Sequence, residues 1–131
     1  MVTGANAGDG VATEVSRGHW QMTGPNDGND NGWIYVKKQF PLGAAVTFDF
    51  SWNTPDDGGC CDWVIANVDN TEPSGIPSHG IDSEEAVNPT TPYTGSITLT
   101  AAPGQWVSFG IYSTDSCCGS GYVNFSINEN W

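Results

Sequence analysis

Apolar and polar residues alternate in several short stretches of the chain. In residues 45–52 (AVTFDFSW), large apolar side chains fall on one face and small polar ones on the other. The same period recurs in residues 105–113 and 121–127. A period of two is typical of a β-strand with one buried face. Shorter or weaker patterns bring the total to about eight predicted strands, the others lying at residues 11–16, 19–23, 33–40, 62–68 and 94–100.

Helical patterns are nearly absent. Residues 82–87 (DSEEAV) are the best candidate, and Pro89 limits such a helix to one or two turns. Seventeen glycines and eight prolines favour many turns. The sequence therefore predicts an all-β fold, an antiparallel, jelly-roll-like β-sandwich. A chain of 131 residues has the size of one domain, so we expect a single sandwich over residues 1–131.

One predicted loop is unusually long. The segment between Asp69 and Thr91 is rich in Pro, Ser, Asn and Asp and carries no clear strand pattern. Loops of that length are uncommon in compact domains and are often functional. A second loop, at residues 23–32, is dense in Gly, Asn and Asp, which tolerate turn conformations.

The charge of the chain restricts its partners. Fifteen acidic residues face three basic ones, for a net charge of −12. Nucleic acids and anionic membranes are bound through clustered Lys and Arg, so neither is an expected partner. No apolar run approaches the roughly 20 residues of a membrane-spanning helix. The N-terminal residues lack the pattern of a signal peptide.

Four cysteines occur as two adjacent pairs, each in a predicted loop. Disulfides that join the two loops are favoured, because a bond within an adjacent pair would close a strained ring. Such cross-links typically contribute about 2–4 kcal/mol for the first bond. A zinc site of four thiolates and reduced thiols remain alternatives. The disulfide candidates are Cys60, Cys61, Cys117 and Cys118.

No catalytic motif stands out. The two histidines, His19 and His79, have no partner in a recognisable pattern, and the sequence lacks a nucleophile elbow, a P-loop and a zinc-protease motif. We therefore expect no enzymatic activity. We also expect no cofactor, although acidic residues near the two cysteine loops would suit calcium. The candidate calcium ligands are Asp56, Asp57, Asp62 and Asp115.

Aromatic residues are the remaining functional candidates. Several fall on strand positions opposite the aliphatic ones, where they would cover the outer face of a sheet. Trp and Tyr are enriched at protein interfaces, and sandwich modules also present them to sugars. The interface candidates are Trp33, Tyr35, Trp106, Tyr112 and Tyr122.

The second half of the chain resembles a known kind of module. Its marks are a Val-x-Phe-x-Phe strand, a Thr-x-Asp loop, an Asp-Trp strand and a late Phe-Gly-Ile-x-Ser-x-Asp hairpin that precedes a Val-x-Phe-x-Ile strand. These features resemble a CUB- or MAM-like β-sandwich (jelly-roll) module, found in bacteriophage virion proteins and in bacterial surface proteins. No catalytic residue is implied by this resemblance. The motifs lie at residues 46–52, 54–57, 62–64, 109–115 and 123–127.

The resemblance implies a non-enzymatic virion structural protein, a phage capsid decoration (cement) or tail-associated protein. Its partners would be a major capsid or tail protein and other copies of itself in a homo-oligomer, and its location the virion. The alternative is a secreted carbohydrate-binding or adhesive module, extracellular and calcium-dependent.

Overall fold

Ten β-strands run through the part of the chain that the structure describes. The structure is a computed structural model, and it describes residues 2–5, 10–24, 32–53, 62–74, 84–87, 93–113 and 121–128. Within these ranges there is no helix, and hence none long and apolar enough to cross a membrane. The strands are β1 (Val2–Ala5), β2 (Val11–Ser16), β3 (His19–Thr23), β4 (Gly32–Phe40), β5 (Ala44–Asn53), β6 (Asp62–Asp69), β7 (Glu84–Val87), β8 (Tyr93–Ala101), β9 (Gln105–Ser113) and β10 (Tyr122–Ile127).

The strands form two five-stranded sheets. The first sheet has the order β1-β4-β9-β6-β7, and the second sheet has the order β2-β3-β10-β5-β8. Neighbouring strands are antiparallel throughout. The predicted antiparallel β-sandwich is confirmed. Its outer faces follow from the alternation of side chains along each strand.

The core lies between the two sheets and is aromatic at its centre. The ring centroid of Phe109, from the first sheet, lies 4.5 Å from that of Phe48 and 4.5 Å from that of Phe125, both in the second sheet. Each such pair contributes about 0.5–1.5 kcal/mol beyond the burial of its surface. The alternation predicted for residues 45–52 is confirmed, since the apolar side chains of β5 are buried and its polar ones mostly face solvent.

Residues 84–87 form a strand where the sequence predicts a short helix. Strand β7 pairs with β6, with Val87 opposite Val64 and Glu84 opposite Ala66. A helix of one turn leaves most of its backbone groups unpaired, whereas the edge of a sheet satisfies them. The helix prediction is therefore wrong, because pairing with the sheet outweighs a weak local preference.

One carbonyl oxygen ties together two connections between the sheets. The oxygen of Phe40 accepts hydrogen bonds from the amides of Gly43 (3.0 Å) and Gly104 (2.8 Å). Gly43 lies between β4 and β5, and Gly104 lies between β8 and β9. At Gly43 the backbone has φ of 76°, and an added Cβ would lie 2.8 Å from the oxygen of Ala101, so glycine is required there.

Candidate functional site

The outer faces of the two sheets differ in chemistry. On the second sheet, the outward positions of β5 and β8 are mainly Ser, Thr and Asn, and the hydroxyl oxygens of Thr47 and Thr98 lie 2.9 Å apart. One row across this face places Ser126 between His19 and Asp49. In a catalytic triad the histidine must lie between the serine and the carboxylate. Here the serine lies in the middle, so the three residues do not form a triad.

The outer face of the first sheet carries the larger aromatic side chains. The register of β4 and β9 places Tyr112 directly opposite Trp33 at one end of the face. At the other end, the register of β9 with β4 and β6 places Trp106 between Gln39 and Asp69. Side chains that are directly opposite across antiparallel strands have Cβ atoms about 4.5–5.5 Å apart, so each set forms a row of neighbours.

A short segment crosses the middle of this face. Residues 70–74, which we call the strap, leave the end of β6 and reach β4, and they therefore pass over β9, which lies between the two strands. Lys37 on β4 donates a hydrogen bond to the oxygen of Pro73 (3.1 Å), and its Nζ lies 3.0 Å from a carboxylate oxygen of Glu72. The hydroxyl of Tyr35 also donates to the oxygen of Pro73 (3.3 Å).

The middle rows of the face are buried. Ser108 is fully buried, and its neighbours across the strands, Lys37 and Asn67, are 8% and 3% exposed. The hydroxyl of Ser108 has no hydrogen-bond partner within the described ranges, and neither does the indole nitrogen of Trp33. Unpaired buried groups of this kind cost about 1–3 kcal/mol each. The strap therefore closes this part of the face to a ligand of any size.

The end of the face beyond the strap remains open. We call its residues the Trp106 row: Gln39 is exposed, and Trp106 and Asp69 are half-buried. The side-chain amide of Gln39 donates a hydrogen bond to the oxygen of Gly104 (3.1 Å), which fixes it beside the indole. Among the described residues, no group donates a hydrogen bond to Asp69 or forms an ion pair with it. Burial raises the pKa of this carboxyl above its ordinary value.

The Trp106 row has a definite chemistry. The indole of Trp106 is a flat apolar surface, the carboxylate of Asp69 is a hydrogen-bond acceptor, and the amide of Gln39 carries both donor and acceptor atoms. This combination suits a ligand with one apolar face and a rim of polar groups.

The structure separates the five predicted interface aromatics. Trp106 and Tyr112 are half-buried on the outer face of the first sheet, whereas Tyr122 is half-buried on the second sheet. Trp33 and Tyr35 are each only 1% exposed, with ring centroids 3.7 Å apart. These two rings are thus unavailable to a partner, because they stack on each other and Tyr35 lies against Pro73 of the strap. The five rings do not form one surface.

The predicted cysteine and calcium sites fall outside the described residues. Asp62 begins β6, but its side chain is not among those described. Within the described ranges, no group of three potential metal ligands comes together. Neither the disulfides nor the calcium site is tested, and both stay predictions. The other residues concerned are Cys60, Cys61, Cys117, Cys118, Asp56, Asp57 and Asp115.

Sequence patterns alone did not indicate Gln39 and Asp69. Gln39 lies near the end of a predicted strand and Asp69 lies just beyond one. Their proximity to Trp106 depends on the register of three strands distant in sequence. The sequence does indicate which residues share a face of a strand, since these are two positions apart. Gln39 is on the same face of β4 as Tyr35, so a correct pairing of β4 with β9 would have placed it beside Trp106.

Comparison with known proteins supports the fold. No family model and no curated protein matches the sequence. A family 35 carbohydrate-binding module from Clostridium thermocellum has a similar structure, with a TM-score of 0.50, 13% identity and coverage of 98% of this chain and 92% of that one. The K1 cleaved adhesin domain of Lys-gingipain from Porphyromonas gingivalis W83 is also similar, with a TM-score of 0.53, 9% identity and coverage of 100% and 99%. The chain therefore has the β-sandwich fold of these modules.

These similarities overturn the prediction of a virion structural protein. The two structures are a carbohydrate-binding module and an adhesin domain. The jelly-roll-like sandwich implied by the resemblance is confirmed, but the capsid-decoration and tail-associated functions and the virion location are not supported. The error has a physical reason: motifs such as Val-x-Phe-x-Phe report the packing of a sandwich core, and this core serves many functions.

Proposed function

We propose that this chain is a non-catalytic carbohydrate-binding module that binds its ligand on the outer face of the first sheet, at the Trp106 row. The observation that carries the proposal is the open row of Gln39, Trp106 and Asp69, next to a face that the strap closes. The similarity of the fold to a carbohydrate-binding module and an adhesin domain supports the same class of function.

A sugar ring has an apolar face and a polar edge. Its C–H groups form an apolar patch that packs on an indole, and its hydroxyl groups project sideways toward neighbouring polar groups. Trp106 offers the indole, and the side chains on either side of it offer a carboxylate and an amide. A few placed polar groups around an apolar platform are the usual composition of a small-molecule site.

A module of this kind acts by holding a surface or a polymer close to whatever the module is attached to. Its place is extracellular, where such polymers occur. The acidic surface of the chain contributes solubility there. A calcium requirement would add to the proposal, with ligands from Asp56, Asp57, Asp62 and Asp115.

The test is a binding survey with matched variants. Purified chain is titrated calorimetrically with a panel of neutral, acidic and amino-sugar oligosaccharides, with and without EDTA. Trp106→Ala should weaken binding by at least about tenfold, as expected for an aromatic anchor. Tyr122→Ala, which removes a half-buried aromatic ring from the other sheet, should leave the affinity unchanged. Thermal unfolding of both variants checks that each is folded.

Two results would contradict the proposal. One is the absence of binding to every sugar in the panel. The other is equal sugar affinity in the wild-type chain and in a folded Trp106→Ala variant, which would place the site elsewhere on the molecule.

A further inference from the structure

Each of the three basic side chains in the sequence contacts other groups or lies far from the Trp106 row. Lys37 is buried under the strap and contacts Glu72 and Pro73. Lys38 points to the opposite face of β4, and its Nζ lies 5.5 Å from the ring centroid of Phe40. Arg17 is exposed in the turn between β2 and β3 of the second sheet. An anionic sugar at the Trp106 row would therefore meet no cation, in a chain with a net charge of −12.

Asp69 provides the opposite charge at the same row. Its side chain is half-buried and has no partner among the described residues, and it lies directly opposite Trp106 in the β6–β9 register. A ligand that packs on the indole removes further water from this carboxylate. Removing water from an ionised group is costly unless a cation or strong donors replace the water. A neutral sugar offers only hydroxyl groups for this purpose, whereas a sugar with a free amine offers an ammonium group.

We propose that the preferred ligand of the Trp106 row is a cationic amino-sugar polymer, a chain of 2-amino-2-deoxy sugars with free amines. This inference rests on the proposed carbohydrate-binding function and names its ligand class. The ammonium group pairs with Asp69 and lies near the face of the indole, where a cation–π interaction adds to the attraction. The negative charge of the whole chain raises the local concentration of such a polycation.

The experiment compares two ligands that differ only in this charge. A glucosamine oligomer and the N-acetylglucosamine oligomer of equal length are titrated into the chain at one mildly acidic pH, where the amines are protonated. The wild-type chain should bind the cationic oligomer about tenfold more tightly, the combined size of an exposed ion pair and a cation–π contact. Added salt should reduce this preference, because it screens the charges.

Matched variants assign the preference to one carboxylate. Asp69→Asn keeps the size of the side chain and should abolish the preference, so that this variant binds the two oligomers with equal affinity. Asp49→Asn, which removes an exposed acid from the outer face of the second sheet, should keep the preference. Both variants lose the same formal charge, so a difference between them reports on position.

The outcomes separate the two proposals. If the wild-type chain binds no oligosaccharide at all, the carbohydrate-binding function fails and this inference fails with it. If wild type and Asp69→Asn bind both oligomers equally through Trp106, the function stands and the inference is overturned. A lysine peptide that binds as tightly as the glucosamine oligomer, and does so in the Trp106→Ala variant too, would reveal nonspecific charge attraction and would also overturn the inference.

Discussion

Replacement of Lys37 by methionine tests whether the ammonium group holds the strap. The side chain runs along the outer face of the first sheet, and its Nζ contacts both Glu72 and the oxygen of Pro73. Methionine keeps most of the apolar stem and adapts its shape to the space, so the substitution removes mainly the charge and its hydrogen bonds. Of the described side chains that donate to Pro73, the hydroxyl of Tyr35 then remains.

The expected loss of stability follows from how exposed the partners of Lys37 are. The side chain of Glu72 is 52% exposed, so its ion pair with Lys37 is worth at most about 1 kcal/mol. The hydrogen bond from the charged ammonium to Pro73 is stronger, at about 1.5–3 kcal/mol, but the variant also avoids the cost of burying a charge. We expect a net loss of about 1–2 kcal/mol in the free energy of unfolding. For a chain of this size, that loss lowers Tm by about 3–8 °C.

The assay is urea and thermal unfolding of Lys37→Met, Glu72→Gln and the double variant. Arg17→Met removes an exposed cation and serves as the control for charge. A Lys37→Met chain within about 0.5 kcal/mol of wild type, the range of ordinary surface substitutions, would refute the reasoning. So would a Glu72→Gln variant as unstable as Lys37→Met, since the stabilisation would then lie in the ion pair.

Three further predictions concern the core, a close contact and a titrating group. Phe109→Ala should cost about 3–5 kcal/mol in urea unfolding, because it empties the centre of the aromatic core, and a loss below 1 kcal/mol would contradict that packing. Gly110→Ala should destabilise by at least about 1–3 kcal/mol, because the added methyl group meets the oxygen of Ile34 and the backbone of Tyr35; unchanged stability would contradict this close approach. Burial raises the pKa of Asp69, so its ionised form destabilises the fold at neutral pH; this penalty is lost as the pH falls through the raised pKa and is absent below the ordinary value of 3.8. Asp69→Asn should therefore raise Tm at neutral pH more than Asp49→Asn does, with no such difference below pH 3.8; equal shifts at neutral pH would contradict the effect of burial.

The sequence predicts the sandwich well because the packing of two sheets imposes a period of two. Residues 45–52 illustrate this, since each apolar position in the pattern from Val46 to Trp52 is buried between the sheets. Strands without that constraint are harder to find. Strand β1 (VTGA) carries no alternation, and β7 lies at the edge of the first sheet in a segment whose residues favour a helix.

The candidate site is predictable only in part. The parity of Trp106 along β9 indicates an outward ring, but the flanking Gln39 and Asp69 come from strands that lie far away in sequence. The burial of Trp33 and Tyr35 is also invisible to local patterns. Tyr35 is covered by Pro73, 38 residues later in the chain, and such a contact depends on the path of a loop. The length of the segment between Asp69 and Thr91 predicts a functional loop, and this stays a prediction.

The carbonyl oxygen shared by two turns, that of Phe40, affects the affinity expected of the proposed sugar site. The carbonyl of Phe40 joins the Gly43 and Gly104 turns. The side chain of Gln105 accepts a hydrogen bond from the amide of Ala102 (2.7 Å) and donates one to the side-chain oxygen of Asn70 (3.0 Å). The backbone next to Trp106 is thus held by hydrogen bonds to both sheets before any ligand binds. A preorganised platform surrenders little conformational entropy on association, so most of the contact energy remains available as affinity.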